Sequence, residues 1–301
     1  MMLVHRSSIA AKLLSLLVFL QAALIVTGGS VRLTGSGLGC PTWPECTPGS
    51  YTPTPNQAED QLHAWIEFGN RLLTFVLFFC AVAVVILAVK KSALAPNKQR
   101  VRSLAGLQIL GILGQGMLGG ITVLTDLHPL TVASHYLLSI FLIAGAISLR
   151  YELIGITTEK VDGVLKSAIP ILIWLTLLVI IAGTVVTGSG PHAGDVTASR
   201  FSFDPRVVSW IHADLVIALA TTTLILFMIA RASESRKVAK RLGTFLFIVL
   251  AQGLVGYIQY FSGLPEAVVA AHLVGSTLVW GWVWSLAKIS QSGFRLQGMK
   301  R

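Results

Sequence analysis

The sequence predicts an all-α integral membrane protein whose eight transmembrane helices form two four-helix bundles related by a parallel internal repeat. Three observations carry that expectation. Of 301 residues, 54% are hydrophobic and only 12% charged, about half the charged fraction of a soluble domain. Apolar runs recur eight times, each long enough as a helix to cross about 30 Å of hydrocarbon. And the phrase VRLTGSG at residues 31–37 returns as TVVTGSG at 184–190.

The runs fall at roughly 12–34, 64–89, 104–125, 129–149, 168–188, 206–230, 241–261 and 265–289. The first resembles a secretory leader, since Arg6 and Lys12 precede it. The recurrence of its closing phrase at the end of the fifth run, which cannot be a leader, argues for a retained span. Lys and Arg set the orientation. Nineteen of the 23 basic residues flank the ends of even-numbered spans or lie before span one and after span eight. Basic residues are retained on the cytoplasmic side, so both termini are expected there. The net charge of +10 then reflects topology and contact with anionic lipid, with no nucleic-acid partner expected. With no Arg- and Ser-rich transit segment at the start, the expected location is a bacterial plasma membrane.

Repeat matching continues beyond the opening phrase. LGQGMLGG (113–120) aligns with LAQGLVGY (250–257), and VASHYLLS (132–139) with VAAHLVGS (269–276), both at an offset of 137 (252 − 115; 272 − 135). Each repeat holds four spans, an even number, so the two share one orientation and a pseudo-two-fold axis along the membrane normal. The division expected is 1–150 and 151–301. The small residues Gly116, Gly119 and Gly120 are expected to let neighbouring backbones approach closely.

Polar side chains inside hydrocarbon mark function, because an unpartnered one costs several kcal/mol. They are Glu67, Asn70 and Arg71 in span two, His135 in span four, His212 and Asp214 in span six, and His272 in span eight. Asn70, His135, His212 and His272 lie six or seven residues past the outer ends of these runs, about 9–10 Å deep. Such depths let His212 and His272 face each other in the second bundle, and His135 face Asn70 in the first. Two opposed imidazoles in a helical bundle suit a haem iron with both axial positions filled, which shuttles electrons; a single His leaves a position open for chemistry. The ordinary alternative for each His is a hydrogen bond to a backbone carbonyl. Zinc suits the set less well, since its catalytic sites use three protein ligands.

The halves differ. Aligning Asn70 with His212 sets Glu67 against Ser209 and Arg71 against Ala213, and the opening repeat sets Arg32 against Val185. The first half alone keeps these charges. Glu67 and Arg71, spaced i, i+4, share a face and can form an ion pair; Glu67 is also placed to act as acid, base or charge stabiliser. Arg32 and Arg71 are candidates for haem propionates. Cys40 and Cys46 stand in the first outside loop, GCPTWPEC, where a disulfide can persist; a structural staple and a redox role both remain open. Cys80 reads as packing. His63, His128 and His192 fall outside the spans and His5 before them.

TGSGLGCP, the loop cysteine pair, IEFGNR, VTGSGPHAGD and WIHADL, together with the two histidine helices, resemble haem A synthase across all eight spans. The resemblance implies an oxidoreductase that converts a porphyrin methyl of haem O, through an alcohol, to the formyl group of haem A for haem-copper terminal oxidases. It implies haem b held by His212 and His272, and haem O reacting in the first half beside Glu67 and His135. It links Cys40 and Cys46 to a disulfide. Expected partners are the haem O substrate, membrane lipid, a haem O synthase and an electron donor or acceptor, with homo-oligomerisation left open. One departure stands out: many members carry E-x-x-H-R in span two, whereas residues 67–71 read Glu-Phe-Gly-Asn-Arg. Asn70 therefore leaves His135 as the single expected ligand of the substrate iron. A membrane bis-His cytochrome b, passing electrons without altering its haem, is the competing class.

Overall fold

A computed structural model describes residues 8–95, 97–154, 158–161 and 163–290. The expectations resting on His5, Arg6, Arg295, Lys300 and Arg301 lie outside those residues. Eight long helices account for nearly all of it: α1 (Ser8–Leu33), α2 (Gln61–Lys91), α3 (Lys98–Leu124), α4 (Pro129–Ile154), α5 (Gly163–Ser189), α6 (Pro205–Ala232), α7 (Arg236–Phe261) and α8 (Glu266–Ile289). Each is long and apolar enough to span a membrane, so the chain is a multi-pass membrane protein, all-helical among the described residues.

Several helix starts are written locally. Asp60 caps α2, its Oδ1 accepting the amides of Leu62 and His63 at 2.8 and 3.2 Å. Asn97 does the same for α3 through Arg100. Asp204 caps α6 through Arg206, with Pro205 in the first turn where no amide donor is needed. Each cap contributes about 1 kcal/mol. Pro170 lies inside α5, which nonetheless continues.

Helices α1 to α4 close a ring of contacts, α1 on α2, α2 on α3, α3 on α4 and α4 on α1; α5 to α8 close another in the same order. The rings meet through α1 and α4 against α8, and α4 against α5. That seam is polar as well as apolar. Trp280, 1% exposed, donates Nε1–H to the Ile140 carbonyl at 2.6 Å. Tyr136 and Ser276 share a hydrogen bond of 2.8 Å, Tyr151 and Ser285 one of 2.6 Å, and Trp284 donates to Ser148 at 2.9 Å. In hydrocarbon each such bond contributes about 0.6–2 kcal/mol and fixes the register of α4 on α8. At the outer ends, Arg32 donates to the Thr187 carbonyl at 2.7 Å, and the Gly37 amide to the Gly194 carbonyl at 2.9 Å.

Candidate functional site

Four of the polar residues singled out in the spans, Asn70, His135, His212 and His272, share one construction, seen in both rings: each lies against a glycine of the preceding helix. A Cβ placed on Gly183 of α5 would stand 3.2 Å from the His212 ring; on Gly256 of α7, 3.4 Å from His272; on Gly119 of α3, 3.4 Å from His135; on Gly28 of α1, 3.8 Å from the Asn70 amide. A Cβ at Gly183 would press on the His212 ring, at Gly119 and Gly256 it would just reach contact, and at Gly28 it would sit at an ordinary van der Waals distance. The repeat partners Gly119 and Gly256 thus receive side chains, and Gly120 receives the Trp43 indole. The expected close approach of backbones at Gly119 and Gly120 gives way to a close approach of rings. A Cβ on Gly116 would meet nothing within 4 Å.

His212 and His272 come together across the second ring, their centroids 6.5 Å apart and their planes at 74°. His212 Nδ1 donates to the Val179 carbonyl at 3.0 Å. Because a carbonyl only accepts, the proton sits on Nδ1, and Nε2 keeps its lone pair for a ligand. His272 Nδ1 is buried with no hydrogen-bond partner. An unpaired polar atom at that depth is costly, and a bound group that uses the imidazole removes part of the cost. The centroid spacing is close to the sum of two metal–nitrogen bonds of about 2 Å each and two half-rings, so one metal ion fits between the rings when both Nε2 atoms face it. These residues fit a bis-imidazole iron.

The first ring is built differently. His135 Nε2 lies 3.1 Å from the Gln115 carbonyl, and Gln115 in turn donates to the His135 carbonyl and to Ser139. His135 therefore makes the backbone hydrogen bond that is the ordinary alternative for a membrane histidine. Asn70 sits nine residues into α2 (70 − 61), because the helix begins three residues ahead of the apolar run (64 − 61). Its Oδ1 accepts the Thr27 hydroxyl at 2.7 Å, turning it toward α1.

Glu67 is 6% exposed and its carboxylate is divided between two partners. Oε2 accepts the Cys40 amide at 2.7 Å; Oε1 accepts from Arg71 Nη2 at 2.7 Å. Arg71 also donates to the carbonyls of Cys40, Thr42 and Glu45. The i, i+4 ion pair is present, and the pair grips the outer loop through main-chain atoms. Cys40 and Cys46 are disulfide-bonded and fully buried; Cys80 is free and buried. Arg32 spends Nη2 on Thr187, while its Nε is buried without a partner. Outside the spans, His192 Nε2 donates to the Leu264 carbonyl and His128 Nδ1 accepts from Leu130, both structural contacts.

Residues 11–199 match the family model COX15-CtaA, described as cytochrome oxidase assembly protein. The chain belongs to that family. Among its relatives, the heme A synthase of Bacillus pumilus is 31% identical over 142 residues, covering 46% of this chain and 44% of that protein. The match to the heme A synthase of Lysinibacillus sphaericus covers 40% of that protein; the chain thus spans less than half the length of these two relatives. The heme A synthase of Methylobacterium radiotolerans is 27% identical over 97% of this chain and 92% of its own length.

Sequence reasoning missed two features of the site. Trp43 is one: an aromatic residue inside a short loop bounded by two cysteines and flanked by prolines was the available signal. The glycine under each ring is the other; its signal was the pairing of Gly119 with Gly256 at the same offset as His135 with His272.

Proposed function

We propose that this protein is a haem A synthase of a bacterial plasma membrane, oxidising the porphyrin methyl of haem O to the formyl group of haem A. The observation that carries the reading is the His212–His272 pair, spaced for one iron and keeping a lone pair on His212 Nε2, in a chain of the cytochrome oxidase assembly family. The near full-length relative bearing the name heme A synthase supports it. The two halves, 1–150 and 151–301, are read as a parallel repeat, supported by the matched contact order of their helices and the matched glycine beneath His135 and His272, and the termini as cytoplasmic, from the distribution of Lys and Arg.

In this reading the second half holds haem b through His212 and His272, and that haem supplies one-electron transfer. The Val179 carbonyl fixes the His212 tautomer, and Gly183 and Gly256 let the rings sit close to their helices. The first half binds haem O, the substrate. His135 turns from the Gln115 carbonyl to ligate it, and Asn70 lines the opposite side without ligating. Arg32, whose buried Nε lacks a partner, takes a propionate. Glu67 holds the outer loop in register and supplies the charge beside the reacting methyl. Conversion of methyl to alcohol adds one oxygen atom, and conversion of alcohol to formyl removes two hydrogens; each is a two-electron oxidation whose oxidant lies outside this chain.

A membrane bis-His cytochrome b is the second reading, favoured by one observation: Glu67 and Arg71 are occupied in holding the loop. Purification from cells that make haem O, followed by acid extraction, chromatography and mass spectrometry of the haems, separates the two. Haem b together with haem O, its alcohol or haem A is expected. Haem b alone, with no haem A formed in those cells, establishes the cytochrome instead.

A further inference from the structure

The disulfide loop is gripped on both sides of Trp43. Arg71 holds the carbonyls of Thr42 and Glu45, which bracket it, and the Cys40–Cys46 bond closes the loop. Both cysteines are fully buried, yet Trp43 is 42% exposed. One face of the indole lies against the notch left by Gly120, where a Cβ would overlap the ring. The neighbouring residue, Gly119, is the floor of His135. Indole and imidazole therefore flank adjacent positions of α3.

The second half solves the same position differently. Gly120 aligns with Tyr257 (257 − 120 = 137), so an aromatic ring there belongs permanently to the helix and stacks on Phe261. In the first half the helix has no side chain, and a loop delivers the ring.

We propose that Trp43 is a substrate-binding residue: its indole forms the outer wall of the His135 site and packs against a planar, apolar macrocycle bound there. This rests on the reading of the first half as the haem O site. Tryptophan suits the place, since it pairs a large apolar face with a polar edge at the membrane surface. Immobilised beforehand by Arg71 and the disulfide, it loses little further freedom when the ligand arrives.

The test is haem content per chain, extracted with acid from protein purified from cells making haem O, for the wild type, Trp43→Ala, Trp43→Phe, Gly120→Val and His135→Ala. Haem b per chain reports the fold of the second half, and thiol labelling reports the disulfide. Trp43→Ala is expected to lower haem O at least fivefold with haem b and the disulfide unchanged. Phe at 43 restores most of it, and Val at 120, by expelling the indole, reproduces the loss. Normal haem O in Trp43→Ala with loss in His135→Ala overturns the role of Trp43 and leaves the site reading standing. Normal haem O in His135→Ala removes the site reading, and this proposal with it. Loss of haem b alongside haem O in Trp43→Ala, or no rescue by Phe, makes Trp43 a structural residue and refutes the proposal.

Discussion

The Glu67 carboxylate accepts the backbone amide of Cys40 at 2.7 Å, tying a helix side chain to the first residue of the stapled loop. Glu67→Ala removes that anchor and leaves Arg71 short of its counter-charge, a loss of about 3 kcal/mol for a buried pair. The variant is expected to lose product formation while its disulfide becomes more rapidly reducible by dithiothreitol. Glu67→Gln keeps an oxygen for the Cys40 amide, so it retains slow reduction but still loses product. Equal product from Gln and wild type denies the carboxylate any charge role.

His212→Ala and His272→Ala each remove one face of the same pair. Both are expected to convert a six-coordinate low-spin haem spectrum to a five-coordinate high-spin one and to lower haem b retention at least tenfold. Absorption and electron paramagnetic resonance spectra of the purified variants decide it. A low-spin spectrum surviving in either variant assigns the iron elsewhere.

A methyl group beneath a ring tests the glycine floor. Gly256→Ala and Gly183→Ala place a Cβ at 3.4 and 3.2 Å from His272 and His212. The His212 imidazole must yield by a few tenths of an ångström, and haem b affinity is expected to fall about tenfold, the lower end for disturbances behind a ligating histidine; the effect at His272, where the Cβ just reaches contact, is expected to be smaller. Gly106→Ala, where a Cβ meets nothing within 4 Å, leaves haem content unchanged. Titration of haem-depleted protein with haem b measures both.

Trp280→Ala empties the most buried volume in the seam between the rings and removes the bond to Ile140. A loss of about 3–5 kcal/mol is expected. Thermal unfolding in detergent should show the midpoint falling well below that of the wild type, with haem b lost in the same transition.

How much of this was legible follows from what each feature writes into sequence. Eight apolar stretches of about twenty residues or more specify eight spans almost without ambiguity, while the helix ends run past them: α3 starts at Lys98, six residues ahead of its run at 104, and α2 at Gln61, three ahead of its run at 64, behind the Asp60 cap. The Glu67–Arg71 pair was legible because i, i+4 spacing fixes proximity on a helix. Its grip on the loop was not, since main-chain carbonyls are offered by every residue and leave no mark at 40, 42 or 45. Nor was the turn of Asn70 toward Thr27, which depends on how α1 is rotated against α2. The glycines were visible, but composition cannot say whether a notch admits a backbone or a ring.

The bond from Arg32 to the Thr187 carbonyl has a consequence for biosynthesis. A ribosome must extend the chain by 155 residues after placing the guanidinium before its acceptor exists. Through that interval α1 is held by α2, through the Thr27–Asn70 bond among others, but not by the second half, and α2, α3 and α4 are inserted before α5 arrives. Assembly of the outer face therefore waits on the second half of the message, and a chain truncated before α5 would hand the insertion machinery a cation with no place to rest.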